Sequence, residues 1–238
     1  KAAPPKTPLA VEETKAPKPI EGPAKAKAGE GQDTKIAMPN GDTVQAKYEV
    51  RELADVRGSN RVTASGTFKD LVASGEYPKG LQPRNYTTNP DEQAKVLRFA
   101  SKMEPAYWIS KHPDGTSGPP IITEDGTVLA GNGRHMGLEM ARKLGTLDKY
   151  KEALLKQVAE FGIDPQDAAN MKEPVLYRVV SMSPDSAAAV NLARATNIAP
   201  TQMQGVAETA ASLSHLIPGD VQDQLKLGPD TTFSQAVT

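Results

Sequence analysis

Gly131, Gly133 and Arg134 are the residues of this chain whose type and spacing most directly suggest chemistry. Two glycines let a backbone approach a ligand closely, and an arginine at the start of a helix adds a guanidinium beside free N–H groups, a combination suited to phosphate oxygens. Asn132 and His135 share the bend, and His135 is placed for phosphate contact or proton transfer, or else for ordinary packing. Arg134 has a plainer alternative, a pairing with Glu139 on a solvated helix face. The bend lacks the third glycine of a dinucleotide fingerprint and the Lys-Ser/Thr of a P-loop. Metal and thiol chemistry find less support. The acids Glu49, Glu52, Asp55 and Glu124 have no metal-cluster spacing, and His112, His135 and His215 are too far apart to make a helical ligand pair. Cysteine is absent, which removes disulfides, thiolate nucleophiles and thiolate zinc sites.

Around this bend, residues 118–141 read as strand, turn, strand, bend and helix without a gap. Asp125-Gly126 has the composition of a two-residue hairpin turn between Ile121-Ile122 and Val128-Leu129. The helix predicted from about Arg134 to Leu144 buries Met136, Met140 and Leu144 and stops at Gly145. Upstream, order begins near Ile36, and Asn40-Gly41-Asp42 reads as a turn between two short strands, the second over Val44 to Val50. Residues 58–82, polar and glycine-punctuated, read as a long binding loop closed by Leu81 to Tyr86. Asn89-Pro90-Asp91-Glu92 is a helix start whose buried stripe is Val96, Ala100 and Met103. Downstream come a helix over about Leu147 to Phe161, a short one from Asp164-Pro165, and an apolar strand from Pro174 to Val180. Ser183-Pro184-Asp185 starts another helix through Ala187, Val190 and Leu192. Tyr107 and Trp108 read as core, with base stacking the alternative.

Domain organisation follows from composition. Residues 1–35, rich in Pro, Ala and Lys, form a linker that points to a longer polypeptide. Residues 36–199 form the globular domain, and 200–238 a helical extension patterned by Met203, Val206, Ala207, Ala210, Leu213 and Ile217. A net charge of −1 gives no general attraction for nucleic acid, so any such grip needs a local patch or a bound nucleotide. No apolar run reaches membrane-spanning length, and no signal peptide is recognisable, so no membrane partner and a cytoplasmic setting are expected, the host cytoplasm if the chain is phage-encoded.

Several separated pieces together resemble the ParB/sulfiredoxin-like fold, and most closely its DdrB-like ParB branch in large multidomain phage and plasmid proteins. They are Gln82-Pro83-Arg84 with the helix after it, Pro120-Ile121-Ile122, the Gly131–Arg134 box, the strand from Pro174, and Asn191 to Asn197. The resemblance covers about Tyr48 to Leu213 and implies an α+β class, with a small mixed sheet flanked by helices and a C-terminal helical extension. It also implies a nucleoside triphosphate, CTP or ATP, held with magnesium, and a DNA-handling role. Carried over by motif, Gly131, Asn132, Gly133, Arg134 and His135 would contact phosphate, faced by Asn191, Arg194 and Asn197, with Gln82 and Arg84 lining the cleft. The chain departs from the family's Glu-Arg-Arg series at Asn132 to His135, and an insertion between Trp108 and Pro120 leaves the base undefined. Without cysteine, the reductase activity of the sulfiredoxin branch is excluded. Two other functions remain open: a ParB-like nuclease or small-molecule phosphotransferase, and a degenerate structural or partner-binding module.

Overall fold

A computed structural model of the chain describes residues 29–38 and 41–197. In chain order its elements are β1 (Gly29–Ala37), β2 (Thr43–Glu52), β3 (Asn60–Val62), β4 (Phe68–Asp70), α1 (Pro90–Ser101), β5 (Ile121–Thr123), β6 (Val128–Ala130), α2 (Asn132–Leu144), α3 (Leu147–Gln157), α4 (Pro165–Ala169), β7 (Pro174–Val180) and α5 (Ala187–Asn197). Five strands form one mixed sheet in the order β1-β2-β7-β5-β6, and β3 and β4 pair separately. Only β5 and β7 run parallel; β1/β2, β2/β7 and β5/β6 are antiparallel. The α+β class expected from the sequence is therefore the class observed.

β7 lies at the centre of the sheet, and all seven of its residues are buried. Its near-continuous apolar run is what a strand covered on both faces requires. The larger core gathers Val50, Val96, Trp108, Met136, Tyr150, Leu154, Phe161 and Tyr177, and a second joins Ile36, Ile121, Leu129 and Val180 to Leu192 of α5 and to Leu71, Tyr77 and Leu81.

Helix starts follow local chemistry. Asn89 caps α1 by accepting from the N–H groups of Asp91 and Glu92, an arrangement that stabilises a helix by about 1 kcal/mol. Val96, Ala100 and Met103 are buried as the periodicity predicts. α2 ends at Gly145, whose φ of +70° is left-handed.

Five expectations need correction. β1 begins at Gly29, inside the segment read as a linker ending at residue 35. It is an edge strand, held mainly by backbone pairing with β2, and Ile36 is the one large side chain it buries, so the composition before that residue stays polar. The Asp125-Gly126 hairpin has a three-residue loop: Thr123 N donates to Thr127 O, and Gly126 alone carries positive φ, +85°. Asp125 stays at negative φ, and its carboxylate accepts from Thr127 N at 3.1 Å. Residues 58–82 do not form an open loop. They hold the β3–β4 hairpin and send Leu71, Tyr77 and Leu81 inward. Leu144 is 47% exposed, because the last turn of α2 runs past the core. The cap of α5 is Ser186, whose Oγ accepts from Ala189 N, rather than Ser183. The proline-rich residues before 29 and the helical extension expected at 200–238 lie outside the described residues.

Candidate phosphate-binding cleft

α2 opens with Gly131 at φ +85°, ψ 27°, a left-handed geometry that suits glycine, and no side chain caps the helix. His135 N closes the first helical turn on Gly131 O, which leaves the N–H groups of Asn132, Gly133 and Arg134 ahead of the intrahelical ladder. This end of the helix forms part of a cleft of about 270 Å³. Gly131 to Arg134 make one wall; Arg84, Tyr86, Phe99, Tyr107, Thr116 and Thr196 complete it.

The two arginines of the cleft are held differently. Arg84 is exposed and lies against the Tyr86 hydroxyl, which in turn sits over the Cα of Gly133. Burial raises the Tyr86 phenol above its ordinary pKa, while Arg84 and Arg134 pull it back. Arg134 is buried, and its side chain folds back beneath Gly131. Its Nη1 donates to Gly118 O at 2.5 Å and its Nη2 to Gly115 O at 2.9 Å. Burial lowers its pKa to about 10, opposed by Tyr107, Asp114 and Tyr86, so the guanidinium stays charged at neutral pH. The alternative pairing with Glu139 is not formed, because Glu139 is itself buried and accepts from Val62 N at 2.8 Å.

Other residues expected at the site take different places. The Asn132 backbone lines the cleft, but its side chain is buried: Oδ1 accepts from Ser59 N at 2.7 Å and Nδ2 donates to the Tyr77 hydroxyl at 3.3 Å. That side chain ties the helix start to the β3–β4 segment. His135 points away from the cleft into the core, where Nδ1 lies 3.2 Å from the Tyr177 hydroxyl. Its Nε2 has no hydrogen-bond partner and stands 3.9 Å from Glu139 Oε1. Burial pushes the imidazole down to about 3, so it is neutral. Gln82 shapes the approach rather than lining the cleft, with its Oε1 accepting from Arg84 N at 2.8 Å.

Asn191 and Arg194 are exposed on α5 and do not line the cleft. Helical phase explains this: Ala189, Leu192, Ala193 and Thr196 form the buried stripe, and 191 and 194 fall on the opposite side. Thr196 is the α5 residue that reaches the cleft. The side chain of Asn197 lies outside the described residues. Among the acids, Glu49 pairs with Arg51 at 2.7 Å, and Glu52 accepts from the N–H groups of Lys172 and Glu173. They are engaged in holding the fold rather than gathered into a catalytic group.

The segment between Trp108 and Pro120 is organised by buried arginines. Arg178 of β7 donates to the carbonyls of His112, Asp114, Ser117 and Pro119 at 2.7–3.3 Å, using Nε, Nη1 and Nη2. Together with Arg134 it fixes residues 112–119 as a wall beside the helix start. No sequence motif marks Arg178; an arginine within an otherwise apolar strand is the one available signal. Gly115 of this wall packs on Thr196 with no room for a β-carbon.

The chain thus combines a mixed sheet with a glycine-opened helix beside an arginine-lined cleft. A family model described as the ddrB-like ParB superfamily domain matches residues 39–181, more than half of the chain, and the chain belongs to that family. Comparison with curated proteins and with solved structures gives no match. The matched segment runs from the start of β2 through β7 and stops short of α5. No helix among the described residues is long and apolar enough to cross a membrane.

The donor set distinguishes between the two groups that the resemblance implies. Guanidinium and helix N–H donors fit phosphate. A divalent cation held by the protein does not fit: no carboxylate lines the described cleft, and the oxygens of nearby Asp114 already accept from Thr116 N and Oγ1. Among the described residues no group of three or more His, Asp or Glu is placed to hold a metal.

Proposed function

We propose that this domain binds the phosphate end of a nucleoside triphosphate, CTP or ATP, at the start of α2, within a DNA-handling protein of phage or plasmid origin acting in the host cytoplasm. The observation that carries this reading is the uncapped α2 N-terminus opening between Arg84 and Arg134 in a cleft whose described lining holds no acid. The helix dipole and two guanidiniums then act on the same anion. Arg134 supplies charge from beneath Gly131, while exposed Arg84 is the arm able to close over a phosphate. Magnesium, if it accompanies the ligand, is held by phosphate oxygens and water, as that ion commonly is.

Calorimetry with the four ribonucleoside triphosphates, with and without magnesium, tests the reading. Binding that weakens in Arg84→Ala supports it, and no binding of any nucleotide in either condition defeats it. The nuclease and phosphotransferase alternatives have no residue cluster in their favour among the described residues.

A further inference from the structure

We propose that Tyr107 is a base-stacking platform, so that the cleft selects nucleotides over phosphates that lack an aromatic base. The inference rests on the phosphate reading of the α2 N-terminus and specifies the other half of the ligand.

The cleft is lined by two kinds of group, the charged set of Arg84, Arg134 and the helix start, and the aromatic pair Phe99 and Tyr107. Their rings are stacked, with centroids 5.3 Å apart and planes 28° from parallel. Trp108 meets both edge-on, at 5.7 Å from Phe99 and 5.2 Å from Tyr107. Tyr107 is thereby fixed before any ligand arrives, which removes the entropy cost of ordering it on binding.

The short 3-10 turn at Pro105–Tyr107 separates two aromatic neighbours that the sequence presents alike. Trp108 goes inward, 1% exposed, and its Nε1 donates to Arg134 O at 3.4 Å. Tyr107 stays outside at 39% exposure. Of the exposed large hydrophobic residues among those described, Leu97, Tyr107 and Leu144, Tyr107 is the one that lines the cleft. Phe99 and Trp108 cover only part of the Tyr107 ring, and a base laid on its exposed part gains stacking energy whatever its hydrogen-bonding edge. Tyr107 and Arg134 line the same small cleft, so ring and guanidinium are within the span of one ligand.

The test titrates the full chain, as wild type, Tyr107→Phe and Tyr107→Leu, with a nucleoside triphosphate and separately with inorganic tripolyphosphate. Tyr107→Leu is expected to weaken the nucleotide by roughly 5- to 150-fold, the span that base–aromatic stacking supplies, while tripolyphosphate changes by less than about twofold. Tyr107→Phe, which keeps the ring, should bind the nucleotide like the wild type. Unchanged nucleotide affinity in Tyr107→Leu overturns the stacking role alone, as does an equal loss for both ligands. Failure of the wild type to bind either ligand removes the phosphate site itself, and the platform with it.

Discussion

Arg134 and Arg178, both buried, hold one loop between them: Arg134 takes the carbonyls of Gly115 and Gly118, and Arg178 those of His112, Asp114, Ser117 and Pro119. Neither forms a salt bridge in the described structure, so carbonyl dipoles carry most of the compensation, with Asp114 adding a longer-range attraction to each. Burial lowers Arg178 to about 9, with the nearby Arg134 charge adding to the effect.

Replacing Arg178 should therefore cost more than an ordinary core substitution. Arg178→Met leaves several buried carbonyls without donors, and each unmet group costs about 1–3 kcal/mol, so a total loss of roughly 3 kcal/mol or more is expected in urea unfolding. Arg178→Lys should recover little, because one ammonium cannot span carbonyls met by a planar fork. A loss below about 1 kcal/mol in Arg178→Met would show that the loop is not held in this way.

Gly131→Ala tests the helix start. The substitution forces a β-carbon into a φ of +85° and within 2.8–3.0 Å of the Arg134 guanidinium. Stability should fall by about 1–3 kcal/mol, and phosphate binding should fall with it as Arg134 is displaced. Denaturant unfolding and calorimetry on the same preparation measure both. Wild-type stability in the variant would contradict the left-handed geometry.

His135 gives the protein an acid sensitivity of definite sign. Its pKa drops from an ordinary 6.5 to about 3 on folding, through burial first and the Arg61 and Arg142 charges next. Full stability from this group is present above pH 6.5 and is lost as pH falls toward 3, by about 1.4 kcal/mol per pH unit. Glu139, packed beside it, is raised by burial and acts in the opposite sense, since its contribution is complete below 4.5 and lost as pH rises through its folded value. The comparison of wild type with His135→Gln isolates the histidine. The variant should unfold with a shallower dependence on pH below 6.5; parallel curves would mean that His135 takes its proton in the folded state.

Arg84→Ala should leave thermal unfolding nearly unchanged, because the side chain is exposed. Nucleotide affinity should fall roughly tenfold, in keeping with a charge-assisted contact, and depend less on salt. Titrations at low and high ionic strength read this directly. An affinity as strong as that of the wild type at both would place the ligand elsewhere.

Much of the fold was legible because local signals agreed with tertiary demand. The Asn89-Pro90 start, the Gly145 stop and the apolar run of β7 each fix an element by its own residues. β1 was legible only at its end near Ile36, because the rest of this edge strand draws its stability from backbone pairing that composition does not record. The cleft was legible at its backbone, Gly131 to Arg134, but less so at its side chains. Asn132 and His135 are adjacent to the bend in sequence, yet one turn of helix aims His135 at Tyr177 and Asn132 at Ser59. On α5, helical phase turns Asn191 and Arg194 away from the cleft and brings Thr196 to it, a distinction that the motif does not carry.

The contact of Gly115 with Thr196 has a consequence for how this domain tolerates change. The two positions share one fixed volume, so a methyl group gained at 115 requires space given up at 196. Substitutions there should be non-additive: Gly115→Ala alone is disruptive, whereas Gly115→Ala with Thr196→Gly recovers part of the loss, as expected for contacting residues. The wall of the cleft and the helix that closes it are thus constrained to diverge as a pair.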